Sequence, residues 1–488
     1  MRVVRVLCVM AVFVVAILEV SCGDTFRPIA IPQNPQPPDP KSLHFALVLT
    51  ANGPEACVPF SSPPVFPSGE PCDPSLHPGA SSRIDVSGDS NVGTATVGLN
   101  PVHAVTLPSS DTVYVANSGD NTVTAYSSTT AGPPTTTITL PPGTNPVFVE
   151  TKESGTVYVA GVGNGSTGPT VSVITVAQNV VSRTLTAADN IGSNPIAMVE
   201  TSNGKKLYVV NQGSDTVTAI NTVDKSVNAV IPVGASPIWA VARADDARVY
   251  ILNQGSHNVS VIDTVNDVVL ATVDIGVAAN YMAYDDTQNR LYLTIPSTSQ
   301  LAVLNVASDP PVVLPSVNLS TVCPVGTCQL DSVTTLPQGT NTDSKKGTVY
   351  VSSYIVNNAT CSQLSGAPQD DPPCITTQVS VISSPSNVLQ KTITPLHTVF
   401  VNSQSVGTKA DVPVVPFCNS ARFRRHIAAA KDATRVFVAN CDGGGTDIIR
   451  TSDDSFVLNL PAPVSSGPAL PHQSFPPPQN PVFVLPGR

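Results

Sequence analysis

Apolar and polar residues alternate in short runs along most of this chain, and turn-forming residues separate the runs. In one stretch the runs occupy 195–201, 206–212, 215–221 and 227–233. Alternation with a period of two over six or seven residues is typical of half-buried β-strands. The Asn, Asp, Gly and Ser residues between the runs supply tight turns. The pattern therefore predicts units of four antiparallel strands, which we label a to d in chain order.

These four-strand units recur at a regular interval. Their b strands share an aromatic residue, and Tyr208, Tyr250 and Tyr292 follow one another at intervals of 42 residues. A repeat of about 40–45 residues, made of strands without helices, is the length of one β-propeller blade. The predicted b strands are 45–50, 112–117, 156–161, 206–211, 248–253, 290–295, 348–353 and 435–440. We therefore expect an all-β fold with a single propeller of eight blades. Seven blades is the alternative, because long insertions interrupt the last two units.

The two ends of the repeat region complement each other. The first unit has b, c and d strands but no a strand, whereas segment 480–487 closely copies the a strand in 145–152. We expect the C-terminal strand to pair into the first blade, because closing the ring removes the free sheet edges that promote aggregation.

Composition agrees with an all-β protein and argues against one class of partner. The 488 residues are 41% hydrophobic and only 12% charged, and the formal net charge is −10. An acidic protein without a long basic run repels phosphate backbones, so we expect no nucleic-acid binding.

The N-terminus predicts export. Arg2 and Arg5 precede a short apolar stretch, so residues 1–21 are typical of a secretory signal peptide. Ser21 and Cys22 resemble a bacterial lipoprotein processing site, although Glu19 stands where such sites usually carry Leu. We expect lipidation of Cys22, a Pro-rich tether at 22–42 and the propeller at 43–488. The predicted location is a lipid anchor in the bacterial cell envelope at the outer membrane, and a secreted or periplasmic soluble protein is the alternative.

The remaining cysteines predict disulfides. They are Cys57, Cys72, Cys323, Cys328, Cys361, Cys374, Cys418 and Cys441. An even number in an exported chain favours disulfide bonds over free thiols, and no zinc-binding spacing is present. The pairing stays open, with sequence neighbours as the simplest choice. All eight fall in predicted b–c or d–a loops, which share one face of a propeller, and long bridged loops on a rigid scaffold are typical of binding surfaces. Tolerated insertions are the alternative.

One basic cluster is a candidate ligand site. Arg422, Arg424, Arg425 and His426 form the densest positive group of the chain. In a strand, Arg422, Arg424 and His426 would share one face and could hold a carboxylate or phosphate. The alternative is that the cluster neutralises nearby carboxylates such as Asp442 and Asp447.

A second candidate set occupies equivalent positions in the predicted a strands. Each member stands two residues after a proline that recurs from repeat to repeat. The members of the set are His103, Phe148, Ala197, Trp239 and Phe483. We expect these residues to line the mouth of the central channel, with His103 and Trp239 as candidate ligand contacts. Ordinary packing is the alternative.

The repeats resemble a known family. The segments VYVANSGDNTV, LYVVNQGSDTV and VYILNQGSHNV, each preceded by Gly-x-x-Pro, are similar to the YVTN-type β-propeller repeats of bacterial and archaeal surface proteins. The similarity is clear over 99–306 and weaker over 317–460. It implies an exported propeller with a lactonase-like architecture, and it implies no reaction, because propellers host many functions.

No catalytic sequence motif points to a reaction. The leading hypothesis is a non-catalytic, envelope-anchored monomer without cofactor or metal. It would bind an envelope protein or polysaccharide through the bridged loops. The alternative is a lactonase-like or metal-dependent hydrolase acting at the channel, and a third hypothesis is a structural surface-coat component.

Overall fold

The computed structural model describes residues 45–51, 78–108, 111–130, 132–152, 155–337, 347–360, 373–384, 386–401, 404–463 and 479–487. The predicted signal peptide and tether, with Cys22, Cys57, Cys72 and Cys361, lie outside the described residues. Eight antiparallel four-stranded sheets form the body of the protein. The prediction of eight blades is confirmed, and the alternative of seven is wrong.

The strands of each blade follow the predicted a-to-d order. Blade 1 contains β1 (Phe45–Ala51), β2 (Pro78–Asp85) and β3 (Ser90–Leu99). Blade 2 contains β4 (Pro101–Thr106), β5 (Thr112–Asn117), β6 (Thr122–Ser127) and β7 (Thr135–Thr139). Blade 3 contains β8 (Pro146–Glu150), β9 (Thr156–Gly161), β10 (Thr170–Thr175) and β11 (Val180–Thr186). Blade 4 contains β12 (Pro195–Glu200), β13 (Lys206–Asn211), β14 (Thr216–Asn221) and β15 (Val227–Pro232).

The second half continues the pattern with larger insertions. Blade 5 contains β16 (Pro237–Ala242), β17 (Arg248–Asn253), β18 (Asn258–Asp263) and β19 (Val268–Asp274). Blade 6 contains β20 (Tyr281–Asp285), β21 (Arg290–Ile295), β22 (Gln300–Asn305) and β23 (Val312–Asn318). Blade 7 contains β24 (Cys328–Thr335), β25 (Val349–Thr360), β26 (Pro373–Ser383) and β27 (Val388–Ile393). A hairpin of β28 (His397–Val401) and β29 (Gln404–Lys409) follows, and then β30 (Asp411–Pro413) pairs with β26. Blade 8 contains β31 (Arg425–Ala429), β32 (Arg435–Asn440), β33 (Gly445–Arg450) and β34 (Ser455–Pro461).

The C-terminal strand closes the ring as predicted. Strand β35 (Asn480–Pro486) pairs antiparallel with β1 and so supplies the missing a strand of blade 1. The innermost strands of neighbouring blades contact one another in the order β35, β4, β8, β12, β16, β20, β24, β31 and back to β35. These strands surround a central channel, and their first residues set its chemistry at one end.

Apolar side chains on both faces of the b strands form the core between blades. In β13 every residue after Lys206 is buried, whereas the outermost strand β19 alternates between exposed and partly or fully buried positions. A strand that packs on both sides buries both of its faces, and an edge strand buries only one. Seven apolar clusters, most of them formed by neighbouring blades, make up the core among the described residues.

A tyrosine in most b strands joins one blade to the next. Tyr208 is fully buried, and its hydroxyl donates to a carboxylate oxygen of Asp267 at 2.7 Å. Asp267 lies in the c–d turn of the next blade with a φ of 55°. Asn and Asp tolerate this left-handed conformation and also accept hydrogen bonds, so one residue shapes the turn and receives the tyrosine. Tyr114 makes the same contact with Asn179 at 2.6 Å.

A buried asparagine ends several b strands. Asn117 is fully buried, and its side-chain amide donates to the hydroxyls of Thr122 and Thr124 at 3.0 and 2.9 Å. A Cβ on Gly98 would lie 2.7 Å from this amide, so only glycine fits there. The Gly of the Gly-x-x-Pro segment therefore has a packing role.

Candidate functional site at the channel mouth

Aromatic rings from seven positions form a continuous cluster in the channel. His103 stacks on Phe148 with 3.8 Å between ring centroids, and His426 stacks on Phe483 at 4.2 Å. The members of the cluster are His103, Phe148, Trp239, Tyr281, Phe423, His426 and Phe483. The structure thus brings together the predicted channel residues, except that Ala197 contributes no ring.

Arg422 lies against the ring faces of this cluster. Its guanidinium carbon is 4.8 Å from the ring centroid of Trp239 and 5.6 Å from that of Phe148. Its Nη1 and Nη2 donate to the backbone carbonyls of Ile196 and Ile238 at 2.6 and 3.1 Å. Ile196 and Ile238 are each the second residue of an inner strand. Their carbonyls therefore place Arg422 at the mouth of the channel on the side of the b–c and d–a loops.

Arg422 is the arginine of the basic cluster that no carboxylate neutralises among the described residues. The side chain keeps an exposed surface, yet the channel surrounds it. Desolvation therefore lowers the pKa of Arg422 to about 10, so it stays charged at neutral pH. An accessible cation beside aromatic faces can hold an anion or the oxygen atoms of a polar ligand.

The two channel histidines are fixed as neutral donors. The backbone N–H of Val149 donates to Nδ1 of His103 at 3.4 Å, and that of Val484 donates to Nδ1 of His426 at 3.3 Å. Each neutral ring must then carry its proton on Nε2. Burial and the positive charge of Arg422 lower the pKa of His426 to about 3. Burial, Arg422 and His426 also hold the pKa of His103 well below its ordinary value.

Arg424 and Arg425 do not face the channel. Both donate hydrogen bonds to the carboxylate of Asp442. Nε and Nη2 of Arg424 do so at 2.8 and 2.6 Å, and Nη1 of Arg425 at 2.6 Å. All three side chains are buried. Although burial opposes ionisation of Asp442, the two guanidinium groups hold its pKa below the ordinary value. The expectation that Arg422, Arg424 and His426 share one face is wrong for Arg424, because β31 begins only at Arg425 and strand alternation does not extend to 422–424.

Asp331 is a further buried carboxylate beside this ion cluster, and the sequence did not single it out. It accepts a hydrogen bond from the backbone N–H of Arg425. Burial raises its pKa to about 6 in spite of that hydrogen bond and the nearby Arg425 charge. Tyr354, stacked on Arg424 at 5.3 Å, completes the cluster. Neither residue belongs to a repeated position, so no periodic signal marks them.

Disulfides lie on the same side as Arg422. Cys323 is bonded to Cys328 in the d–a loop before β24, and Cys418 is bonded to Cys441, which directly follows β32. These two predicted pairs are confirmed. Cys374 is also disulfide-bonded; its predicted partner, Cys361, lies outside the described residues. We call the side formed by the b–c and d–a loops the disulfide face.

The opposite side, formed by the a–b and c–d turns, carries most of the ion pairs between exposed loops. We call it the charged face. Its pairs are Lys152–Glu150, Lys206–Asp267, Arg243–Asp245, Arg248–Asp263, Arg248–Asp309, Arg435–Asp89 and Arg450–Asp453. One further pair, Arg183–Asp189, reaches a d–a loop of the disulfide face. On the disulfide face, Asp120 and Asp215 instead accept backbone N–H groups of Leu99 and Ser236. Neutral Ser, Thr, Asn, Gln and Gly side chains therefore make up much of the disulfide face.

The described residues contain no group of three or more His, Cys, Asp or Glu side chains placed to hold a metal ion. Among the same residues, no helix has both the length and the apolar character of a membrane span.

Comparison with known proteins supports the fold. No family profile matches the chain, and no curated protein is similar to it. The YVTN repeat family therefore stays a prediction. The solved structure of dihydro-heme d1 dehydrogenase NirN in complex with DHE is similar with a TM-score of 0.56 and 11% identity, over 88% of this chain and 77% of that chain. A putative 6-phosphogluconolactonase from Bacteroides fragilis covers 92% of this chain and 99% of its own with 11% identity and a TM-score of 0.46. At 11% identity, the likeness to NirN shows the fold alone.

Proposed function

We propose that this protein is a non-catalytic binding propeller that recognises a neutral polysaccharide of the cell envelope on its disulfide face. The observation that carries the proposal is the combination found on that face. Disulfide-bridged loops adjoin a surface rich in neutral hydrogen-bonding side chains, and aromatic rings with one accessible cation lie at its centre. A sugar polymer offers hydroxyl groups for such a surface and apolar ring faces for the aromatic side chains.

Binding explains the histidines better than hydrolysis does. A general base works best when its pKa lies near the operating pH. His426, with a pKa of about 3, and His103, shifted in the same direction, are poor bases at neutral pH. Their Nδ1 atoms also accept backbone hydrogen bonds, which leaves only donor groups for a ligand. These features support recognition, and no observation favours the hydrolase alternative.

The proposed setting is the outer surface of a bacterial envelope, with a lipid on Cys22. Disulfides persist in oxidising compartments, which supports export. Mass spectrometry of the mature N-terminus tests the anchor, because a diacylglyceryl group on Cys22 is expected and Cys22→Ala should release the protein into the soluble fraction. An unmodified N-terminus would contradict the proposed lipid anchor and would not affect the proposal of polysaccharide binding.

Introducing negative charge on one face tests polysaccharide binding. Ser166, Ser214 and Ser297 are exposed in b–c loops of the disulfide face. The matched control uses Thr130, Ser202 and Ser308, which are exposed on the charged face. Each set is changed to Glu, and binding to immobilised neutral and acidic polysaccharides is measured by biolayer interferometry. We expect wild type and control to bind a neutral polymer and the disulfide-face variant to lose at least about tenfold in affinity.

Equal loss in the two variants, or binding of acidic polymers alone, would contradict the proposal. Binding of an envelope protein without any polysaccharide would replace it with a protein-recognition role.

A further inference from the structure

A cavity of about 230 Å³ lies in the channel beside the aromatic cluster. Residues from the inner strands of several blades line it, including Trp239, Tyr281 and Phe483. It extends to Thr335 and Pro486, which end β24 and β35 and so lie toward the charged face. This volume is below the usual range for drug-sized ligands and suits a small one. The cavity shares this cluster with the surface proposed to bind polysaccharide and extends from it toward the opposite face.

Three polar groups of the lining are set up to donate hydrogen bonds. In each case a backbone N–H of the neighbouring inner strand already occupies an acceptor atom. Val149 donates to Nδ1 of His103 and Val484 to Nδ1 of His426, at 3.4 and 3.3 Å. Ala429 donates to Oγ1 of Thr334 at 3.3 Å. The two imidazole Nε2–H groups and the threonine hydroxyl hydrogen remain for a ligand.

The described residues supply no acceptor for either Nε2–H, although both histidines are more than nine-tenths buried. Neither Nε2 atom is among the fully buried side-chain atoms that lack a partner, so both reach the open space of the channel, where a ligand can accept hydrogen bonds from them. The same arrangement occurs twice, in blades 2 and 8, on either side of Phe483. His103 and His426 contact this ring at 4.5 and 4.2 Å, so Phe483 sits between the two donors.

The electrostatics of the cavity favour an anion. No Asp or Glu lines it. Arg422, which has no carboxylate partner among the described residues, is the charge that acts on His103, His426 and Tyr281. The buried Asp331 also acts on Tyr281, but it accepts a backbone N–H and lies close to Arg424 and Arg425. Apolar walls and clustered donors suit an apolar body that carries one anionic group.

We propose that this cavity binds a small monocarboxylate whose oxygens accept hydrogen bonds from His103, His426 and Thr334 and whose apolar body packs against Trp239 and Tyr281. The site shares the aromatic cluster with the surface proposed to bind polysaccharide, but Ser166, Ser214 and Ser297 do not line it. Their Glu variants therefore test polysaccharide binding, and the carboxylate titrations below test this site.

The fluorescence of Trp239 reports on this site directly, because the chain contains a single tryptophan and it lines the cavity. The probes are cyclohexanecarboxylate and two matched compounds of the same shape, the neutral cyclohexanecarboxamide and the cationic cyclohexylmethylamine. We expect cyclohexanecarboxylate to cause a saturable change in Trp239 emission. The carboxamide should bind at least about tenfold more weakly, and the amine should show no saturation. The three titrations use the full mature protein.

Substitutions assign the donors. His426→Phe and His103→Phe keep an aromatic ring and remove Nε2–H, and each should weaken carboxylate binding by about ten- to hundredfold. Arg422→Gln should weaken the carboxylate and leave the amide unchanged. Tyr114→Phe, in the core between blades 2 and 3, is the control and should leave affinity unaltered. Thermal unfolding of each variant confirms folding.

Equal affinity for carboxylate and amide would overturn the anionic character of the site. An absence of saturation with every probe in folded wild-type protein would overturn the site itself. Full carboxylate affinity in folded His103→Phe and His426→Phe would remove the assigned donors.

Discussion

Tyr350 donates its hydroxyl hydrogen to a carboxylate oxygen of Asp454 at 2.6 Å and thereby joins blade 7 to blade 8. Burial, together with the neighbouring Asp454, raises the pKa of Tyr350, so the hydroxyl remains a donor over the accessible pH range. Asp454 has a φ of 52° in the c–d turn of blade 8. The contact has the same form as Tyr208 with Asp267 and Tyr114 with Asn179. The tyrosine that recurs in the b strands therefore links each of these blades to the next one, in addition to packing in the core.

Removing the Tyr350 hydroxyl should weaken this connection measurably. Tyr350→Phe deletes a buried hydrogen bond to a carboxylate, which contributes about 1.5–3 kcal/mol. We expect the free energy of unfolding, measured by urea denaturation, to fall by that amount. Tyr292→Phe is the matched control, because its hydroxyl lies 3.3 Å from Asn387 and should contribute less. An equal loss in both variants would contradict the role assigned to bond length and acceptor charge.

The buried ion cluster of blade 8 should be far more sensitive than an exposed pair. Asp442→Asn removes the carboxylate charge that balances Arg424 and Arg425, and breaking a buried pair costs about 3–5 kcal/mol. Asp453→Asn is the control, because the Arg450–Asp453 pair has side chains that are 47% and 53% exposed and such pairs contribute at most about 1 kcal/mol. Chemical denaturation of both variants measures the difference. A small loss for Asp442→Asn would mean that the arginines find another partner.

His426 predicts a specific acid sensitivity. Its folded pKa of about 3 lies below the ordinary value of 6.5, so the unfolded chain binds this proton more readily than the folded protein. The associated stability is complete above about pH 6.5 and is lost as the pH falls from 6.5 toward 3. We expect His426→Phe to reduce the slope of unfolding free energy against pH in that window, by a total on the order of a few kcal/mol. Titration of the His426 ring by NMR provides a direct check, and a midpoint near 6.5 would refute the prediction.

The two described disulfides should differ in their contribution because they close loops of different length. Cys418–Cys441 spans 23 residues and Cys323–Cys328 spans 5. In the chain-entropy account, the longer loop contributes about 3 kcal/mol and the shorter about 2 kcal/mol. Replacing each pair by Ser and comparing urea midpoints tests the order. If the shorter bridge proved the more stabilising, loop entropy would not be the main source of its effect.

The repeated features of the fold were predictable from the sequence because each blade meets the same physical demands. Alternating residues give the strands, Asn and Asp give the turns, and the similarity of 480–487 to 145–152 gives ring closure. The number of blades could be predicted even where insertions interrupt the sequence, because each b strand keeps its run of apolar residues. Strand β25, for example, extends well beyond the predicted 348–353 because it pairs with β26 above the disulfide face.

The chemistry of the channel was only partly predictable. His103, Phe148, Trp239 and Phe483 occupy repeated positions, so periodicity identified them. Tyr281 occupies the equivalent position, but it follows Ala279, which stands where five other blades have proline, so the proline pattern did not identify it. Phe423 belongs to an insertion that has no counterpart in the other blades, and only the three-dimensional structure shows that it packs against Trp239 and His426.

The last strand also imposes an order of events on biosynthesis. Because β35 pairs with β1, residues 45–51 wait for residues 480–486 before blade 1 can be completed. At a synthesis rate of about 5–20 residues per second, that interval lasts roughly 20–100 s. The newly made N-terminal region therefore remains unclosed throughout translation. Under the proposed export, such a delay would keep the chain extended for passage through a membrane until its final residues arrive.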